Sequence, residues 1–228
     1  MTPLALLRLL HLASPTLPVG AYSYSQGLES AIDAGIVKNE AGAQIWIADT
    51  LTHSVARLEA PVFCRLYNAW QTGERPAIDH WGDFFLASRD SAEFRAETVQ
   101  MGYSLARLLR DLFPRDQRVE CLPPTVSEVS IPFPSAMAAA CVILQTPLEA
   151  SLHAYLFAWS ENLVLAALKA VPLGQVSGQR MLFALEEIIL AAAATALALA
   201  DDDISNWTPG LAFLSMRHET QHSRIFRS

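Results

Sequence analysis

The sequence predicts an all-α protein built as a single-domain multi-helix bundle, and three observations carry that expectation. Alanine and leucine occupy 35 and 32 of the 228 positions; both enter helices at little cost, and β-branched residues, which prefer strands, are scarce. Apolar residues recur at three- and four-residue steps through the long segments. Hydrophobic residues make up 52% of the chain and charged residues 17%, the reverse of a disordered composition and enough apolar material for a sizeable core.

Taken in order, residues 1–12 are leucine-rich, but Arg8 and His11 interrupt them. Pro15 and Pro18 follow where a small-residue cleavage site would stand, so no signal peptide is expected. Pro15, Pro18 and Gly20 make a rigid turn, after which Ser23 or Ser25 can cap a helix that ends at Gly35. Asn39 caps a segment reaching about Gln71, which Pro61 must break or restart near its middle. From Ser91 to Phe113, Phe94, Met101, Leu105, Leu108 and Leu112 follow the helical period, and Pro114 stops the run.

Five prolines between Pro114 and Pro134 then mark an irregular connection or a short extended piece. Thr146 is placed to cap a helix with Pro147 in its first turn, running to about Val171. The next helix starts near Gly178 and ends against Asp201, Asp202 and Asp203, whose charges oppose the helix dipole and favour a quick turn away. Its uncharged stretch, residues 188–200, is shorter than the roughly 18 residues a membrane span requires. It is therefore expected to be a buried core helix, with no membrane anchor.

Charge and cysteine content narrow the function. A net charge of −7 argues against nucleic acid, which demands a basic footprint. Three scattered cysteines fit a reducing compartment and a cytoplasmic protein. Residues 131–200 hold only six charged side chains, so that region is expected to be buried inside the fold or against another copy of the chain. Neither a phosphate-binding G-x-x-x-x-G-K-[ST] loop, a G-x-G-x-x-G turn nor a G-x-S-x-G elbow occurs. Lysine is found only at Lys38 and Lys169, against fourteen arginines, a balance that leans towards protein interfaces.

Two stretches concentrate candidate functional residues. His218-Glu219-Thr220-Gln221-His222 matches H-E-x-x-H, which on a helix puts two zinc ligands and a general base on one face. Only six residues follow His222, none of them His, Asp, Glu or Cys, so a third ligand would have to come from far upstream. The same stretch, polar from Arg217 to Arg224 and tipped by Ile225 and Phe226, also has the character of a docking tail. The other stretch is Ser14 to Glu29, where Tyr22 and Tyr24 suit an interface and pack equally well inward in an ordinary capped turn.

Four ordered blocks resemble the urease accessory protein UreF family: SPTLPVGAYSYSQGLESAIDAG from Ser14, SAEFRAETVQMGYSL from Ser91, YLFAWSENLVLAALKAVPLGQVSGQ from Tyr155 and MRHETQHSRIFRS from Met216. Pro114 to Pro134 is similar only loosely. Where this chain has His222 the family more often has an aromatic residue, so the H-E-x-x-H match reads as accidental. The resemblance implies an all-α homodimer over residues 1–228, not an enzyme and without a cofactor. It also implies a scaffold that bridges UreD (also called UreH) and the GTPase UreG during GTP-dependent nickel insertion into apo-urease.

On that basis Tyr22, Ser23, Tyr24, Gln26 and Glu29 are expected in the surface offered to the GTPase, and Lys169 at a partner contact. Arg217, His218, Glu219, Arg224, Phe226 and Arg227 are expected in a tail, residues 211–228, that orders on UreD. Two other readings of the residues stay open at this point. One is a zinc metallopeptidase using His218, Glu219 and His222; the other is a helical dimer that buffers nickel through His218 and His222.

Overall fold

The computed structural model describes residues 1–123 and 130–228; residues 124–129 of the expected irregular connection lie outside the described residues. Its described elements are α1 (Pro3–Ala13), α2 (Leu28–Asp33), α3 (Glu40–Thr50), α4 (Glu59–Thr72), α5 (Arg75–Ala87), α6 (Ala92–Leu112), α7 (Gln117–Glu120), α8 (Phe133–Ile143), α9 (Leu148–Ala170), α10 (Gln175–Ala198) and α11 (Pro209–His218), with 3-10 turns at Ala21–Ser23 and Asp201–Asp203. No strand occurs among the described residues.

The bundle is organised around α8. Ten of its residues, from Pro134 to Ile143, are buried, and four alanines among them let α4 and α6 pack on either side. Such an all-round apolar helix belongs in a core. Gly102 is what permits the approach of α6. A Cβ there would overlap the Ile131 carbonyl oxygen and come within 2.9 Å of the Pro132 carbonyl carbon. α9 packs against α1, α2, α3, α4 and α10, and α11 bridges α2 and α6.

Helix starts follow local chemistry. Asn39 Oδ1 accepts from Gly42 N at 3.0 Å, and Ser91 Oγ accepts from Phe94 N at 3.1 Å, both side-chain caps of otherwise orphaned first-turn donors. Thr2 does the same for Ala5 N at 3.1 Å. Pro61 restarts rather than ends a helix. The chain passes through a π turn at Leu51–Val55 and opens α4 at Glu59. Pro61 therefore falls at the third position, where its missing N–H would have had no helical acceptor.

Three local expectations differ from what is found. Pro147, not Thr146, occupies the cap position of α9. Thr146 instead turns inward, donating to the Cys141 carbonyl at 3.1 Å and sharing a hydrogen bond with Ser151 Oγ at 2.8 Å. Gly27, with φ +80°, precedes α2, although Ser25 Oγ still accepts from Glu29 N at 3.3 Å.

The third concerns α10, which is not a buried core helix. It is long and apolar enough to cross a membrane by length and composition, yet one face packs on α9, α3 and α4 while the other is exposed. Val176, Phe183, Leu190 and Leu197 stand on that outer face at 68%, 69%, 50% and 41% exposure. The aspartate run after α10 is accommodated by Arg65. Its guanidinium donates to the carbonyls of Ala196 and Leu199 and pairs with Asp201 at 2.8 Å, a cation set where the helix dipole is negative.

Candidate functional site

The N-terminal motif, α6, α9 and the carboxy-terminal tail meet at one place. After α11 the chain does not leave as a loose arm. It doubles back along α2, so that Arg227 N donates to the Ser23 carbonyl at 2.8 Å and Ser25 N to the Ser228 carbonyl at 2.7 Å. Ser25 Oγ adds a second bond to that carbonyl at 2.5 Å. The N-terminal motif and the tail thus pair main chain to main chain.

Glu29 holds the tail from beneath. It is buried and accepts from Ile225 N at 2.6 Å and from Phe226 N at 2.9 Å. Its Oε2 also lies 3.1 Å from Nε2 of His218. The other ring nitrogen, Nδ1, lies 2.7 Å from Glu93 Oε2 on α6, and Glu93 pairs in turn with Arg224 at 2.8 Å. His218 is fully buried between these two carboxylates. A buried carboxylate persists only when paired or hydrogen-bonded, and Glu29 and Glu93 both are.

That geometry corrects the H-E-x-x-H reading. α11 ends at His218 and the chain turns immediately, so His218 and His222 do not share a helical face. Both nitrogens of His218 face carboxylate oxygens, while His222 is exposed. Glu219 is no general base either: its Oε1 accepts from Ala92 N at 3.0 Å, capping α6. No group of three His, Cys, Asp or Glu able to hold a metal ion occurs among the described residues. His218 and His222 are therefore not placed as the pair that the zinc and nickel-buffering readings require.

A second, deeper layer joins α6 to α9. Gln26, in the left-handed region at φ +51°, donates from Nε2 to Glu97 Oε1 at 2.7 Å and accepts from Trp159 Nε1 at 2.8 Å. Ser228 Oγ donates to Glu97 Oε2 at 2.9 Å. Burial pushes the Glu97 carboxyl up to about 7, against the pull of the Gln26 and Ser228 hydrogen bonds. Tyr155 donates its hydroxyl to Glu59, and Arg89 pairs with the same carboxylate at 3.4 Å. Burial, with the Glu59 charge next, raises the Tyr155 phenol well above its usual range. Beside these groups lies a cavity of about 110 Å³, with Glu59, Arg89, Glu97 and Tyr155 on its polar wall, room for several waters.

Of the residues expected at the GTPase-facing surface, Tyr22 is exposed, at 64%, while Ser23 and Gln26 are half-buried. Tyr24 and Glu29 are buried and serve the joint instead. Lys169, at the end of α9, is exposed. Its Nζ lies 3.3 Å from the Tyr22 carbonyl and 5.6 Å from the ring centres of both Tyr22 and Phe226. One lysine thereby links the N-terminal motif to the tail through cation–π contacts. In the tail, Arg217, Glu219, Arg224 and Arg227 are exposed, and Phe226 and His218 are buried in the chain's own fold.

Sequence reasoning missed Glu93, Glu97, Trp159 and Ser228. The signal was present in part: all four fall inside the quoted blocks, and Glu93 and Glu97 are spaced to share one helical face.

The UreF family profile matches residues 37–186. Over 98% of both chains, the sequence is 53% identical to the urease accessory protein UreF of Janthinobacterium sp. (strain Marseille) and 50% identical to that of Nitrosospira multiformis. The protein of the same name from Dechloromonas aromatica is 51% identical over 100% of this chain and 99% of its own. The amino-terminal motif and the tail lie outside the stretch matched by the profile but inside these full-length alignments, and the chain belongs to the UreF family of urease accessory proteins.

Proposed function

We propose that this chain is a non-catalytic cytoplasmic scaffold for urease maturation. It binds a UreD/UreH-type accessory protein and a UreG-type GTPase, and so supports GTP-dependent nickel insertion into apo-urease. The observation that carries the reading is the joint of Tyr22, Lys169 and Phe226, where motif and tail are held in fixed relation by a buried polar network. Tyrosine, phenylalanine and arginine around an exposed lysine are the side chains of interface hot spots. Tyr22, Ser23 and Gln26, with Lys169 beside them, form the edge offered to the GTPase. Arg217, Glu219, Arg224 and Arg227 form the edge offered to the UreD-type partner, with Phe226 and His218 fixing that edge from below. Tyr24 and Glu29 act beneath both edges as supports. Co-purification of the chain with each partner, before and after substitution of the exposed residues, tests the assignment.

The homodimer has a specific support in α10. Val176, Phe183, Leu190 and Leu197 recur every seven residues on its exposed face, the spacing of a helix–helix seam. With Leu190 on a two-fold axis, an antiparallel pair sets Phe183 against Leu197 of the second copy and brings Arg180 near Asp201 of the second copy. Glu186 and Glu187 then meet alanines rather than each other. The apolar side chains along the seam and the small residues at its middle favour self-association of this face. Size measurement in solution, with and without a charge at Leu190, tests it.

A further inference from the structure

The cavity beside Glu97 is lined in two ways. Glu59, Arg89, Glu97 and Tyr155 make its polar wall, and Leu12 of α1, Met101 of α6 and Met137 of α8 belong to its apolar lining. Pro15 and Tyr22 also line it and are exposed, so it reaches the surface beside the N-terminal motif.

The polar wall keeps hydrogen-bonding capacity to spare. Glu59 accepts from Tyr155 and pairs with Arg89. Arg89 is nine-tenths buried and its guanidinium lies over the rings of Phe85 and Phe94, yet its Nε meets no acceptor in the chain. A buried donor in that condition is costly. Glu97 receives one hydrogen bond on each carboxylate oxygen, from Gln26 and from Ser228, and each oxygen can accept a second. One wall thus offers both a donor and acceptors to a third party.

Water suits only part of this space. A buried water needs about two to four polar partners; Glu97 and Arg89 supply them, whereas Leu12, Met101 and Met137 do not. The lining matches a molecule with a polar head and a short apolar body. Its head must bring N–H donors for Glu97 and an acceptor for Arg89. An ammonium head lacks the acceptor, and a carboxylate head would meet Glu59 and Glu97 as a like charge. A primary amide carries donors and acceptor on one uncharged group. At interior packing density a cavity of about 110 Å³ holds roughly five non-hydrogen atoms. We propose that this cavity is a binding site for a small primary amide, whose nitrogen donates to Glu97, whose carbonyl accepts from Arg89 and whose alkyl body lies against Met101 and Met137. The site stands whether or not the neighbouring edge at Tyr22 meets a GTPase.

NMR of the full chain labelled at its methionine methyl carbons tests the site. Of the five methionines, Met101 and Met137 line the cavity, and Met1, Met181 and Met216 do not. The probes are propionamide, propionate, which has the same shape and a negative charge, and butylamine, which has a cationic head. Propionamide should shift the Met101 and Met137 signals saturably, with a Kd on the order of 10 mM for so few atoms, and leave the other three unmoved. Propionate and butylamine should bind at least about tenfold more weakly. Ala158→Leu, at a half-buried lining position of α9, fills the space without touching the polar wall and should abolish the response. If that variant does not fold, the three probes on the unaltered chain decide alone. No shift by about 200 mM propionamide, a shift that stays linear with concentration, or one shared by Met181 and Met216 would overturn the proposal. So would propionate or butylamine binding as tightly as the amide, or unchanged binding in a folded Ala158→Leu.

Discussion

His218 and Glu29 are 189 residues apart in sequence, yet Nε2 of one lies 3.1 Å from Oε2 of the other, both buried. Glu29 also receives the amides of Ile225 and Phe226. Through this contact a stretch that reads as a polar tail becomes part of the domain, and the N-terminal motif becomes its receptor.

His218→Ala should therefore destabilise the chain by about 3 to 5 kcal/mol, because it leaves two buried carboxylates without their common partner. His222→Ala, at an exposed position, should change stability by less than about 0.5 kcal/mol. Urea unfolding of the two variants checks the contrast. Equal effects, or equal losses of bound zinc, would instead favour a paired-ligand role.

Gly102→Ala should be among the most damaging single-methyl additions in the molecule. The new Cβ meets backbone at Ile131 and Pro132, not a side chain that can swing away, so relief requires moving α6 away from α8. A loss of about 3 kcal/mol or more is expected from overpacking against main chain. Thermal unfolding measures it.

Leu190→Glu should convert a dimer to a monomer while leaving the fold intact, since Leu190 is half exposed within one chain but would face its own copy at an isologous axis. Light scattering coupled to size exclusion reads the mass, and circular dichroism reads the helix content. A dimer that survives the substitution places the self-contact on another face.

Most helix starts and stops were legible in the sequence because they depend on neighbouring residues. Asn39 caps where a cap was expected, the segment expected from Ser91 opens there as α6, and α6 ends just before Pro114. Pro61 was legible as a break or a restart, and the structure takes the restart, with a π turn before it. α10 was misjudged because an apolar stretch looks alike in a core and on an exposed helix face. At the site, the four blocks marked the right segments without separating exposed from supporting residues. Tyr22 and Tyr24 alternate between solvent and core through a 3-10 turn at Ala21–Ser23. The pairing of Glu29 with His218, and of Glu97 with Ser228, spans most of the chain, and no local pattern encodes it.

The most direct test of the scaffold account is co-purification of the Tyr22→Ala/Lys169→Ala double variant with a UreD-type accessory protein and a UreG-type GTPase. Both side chains are exposed, so the variant should fold, keep its oligomeric state and still bind the UreD-type protein. It should lose most of its capture of the GTPase. Retention of both partners at the level of the unaltered chain would contradict the account.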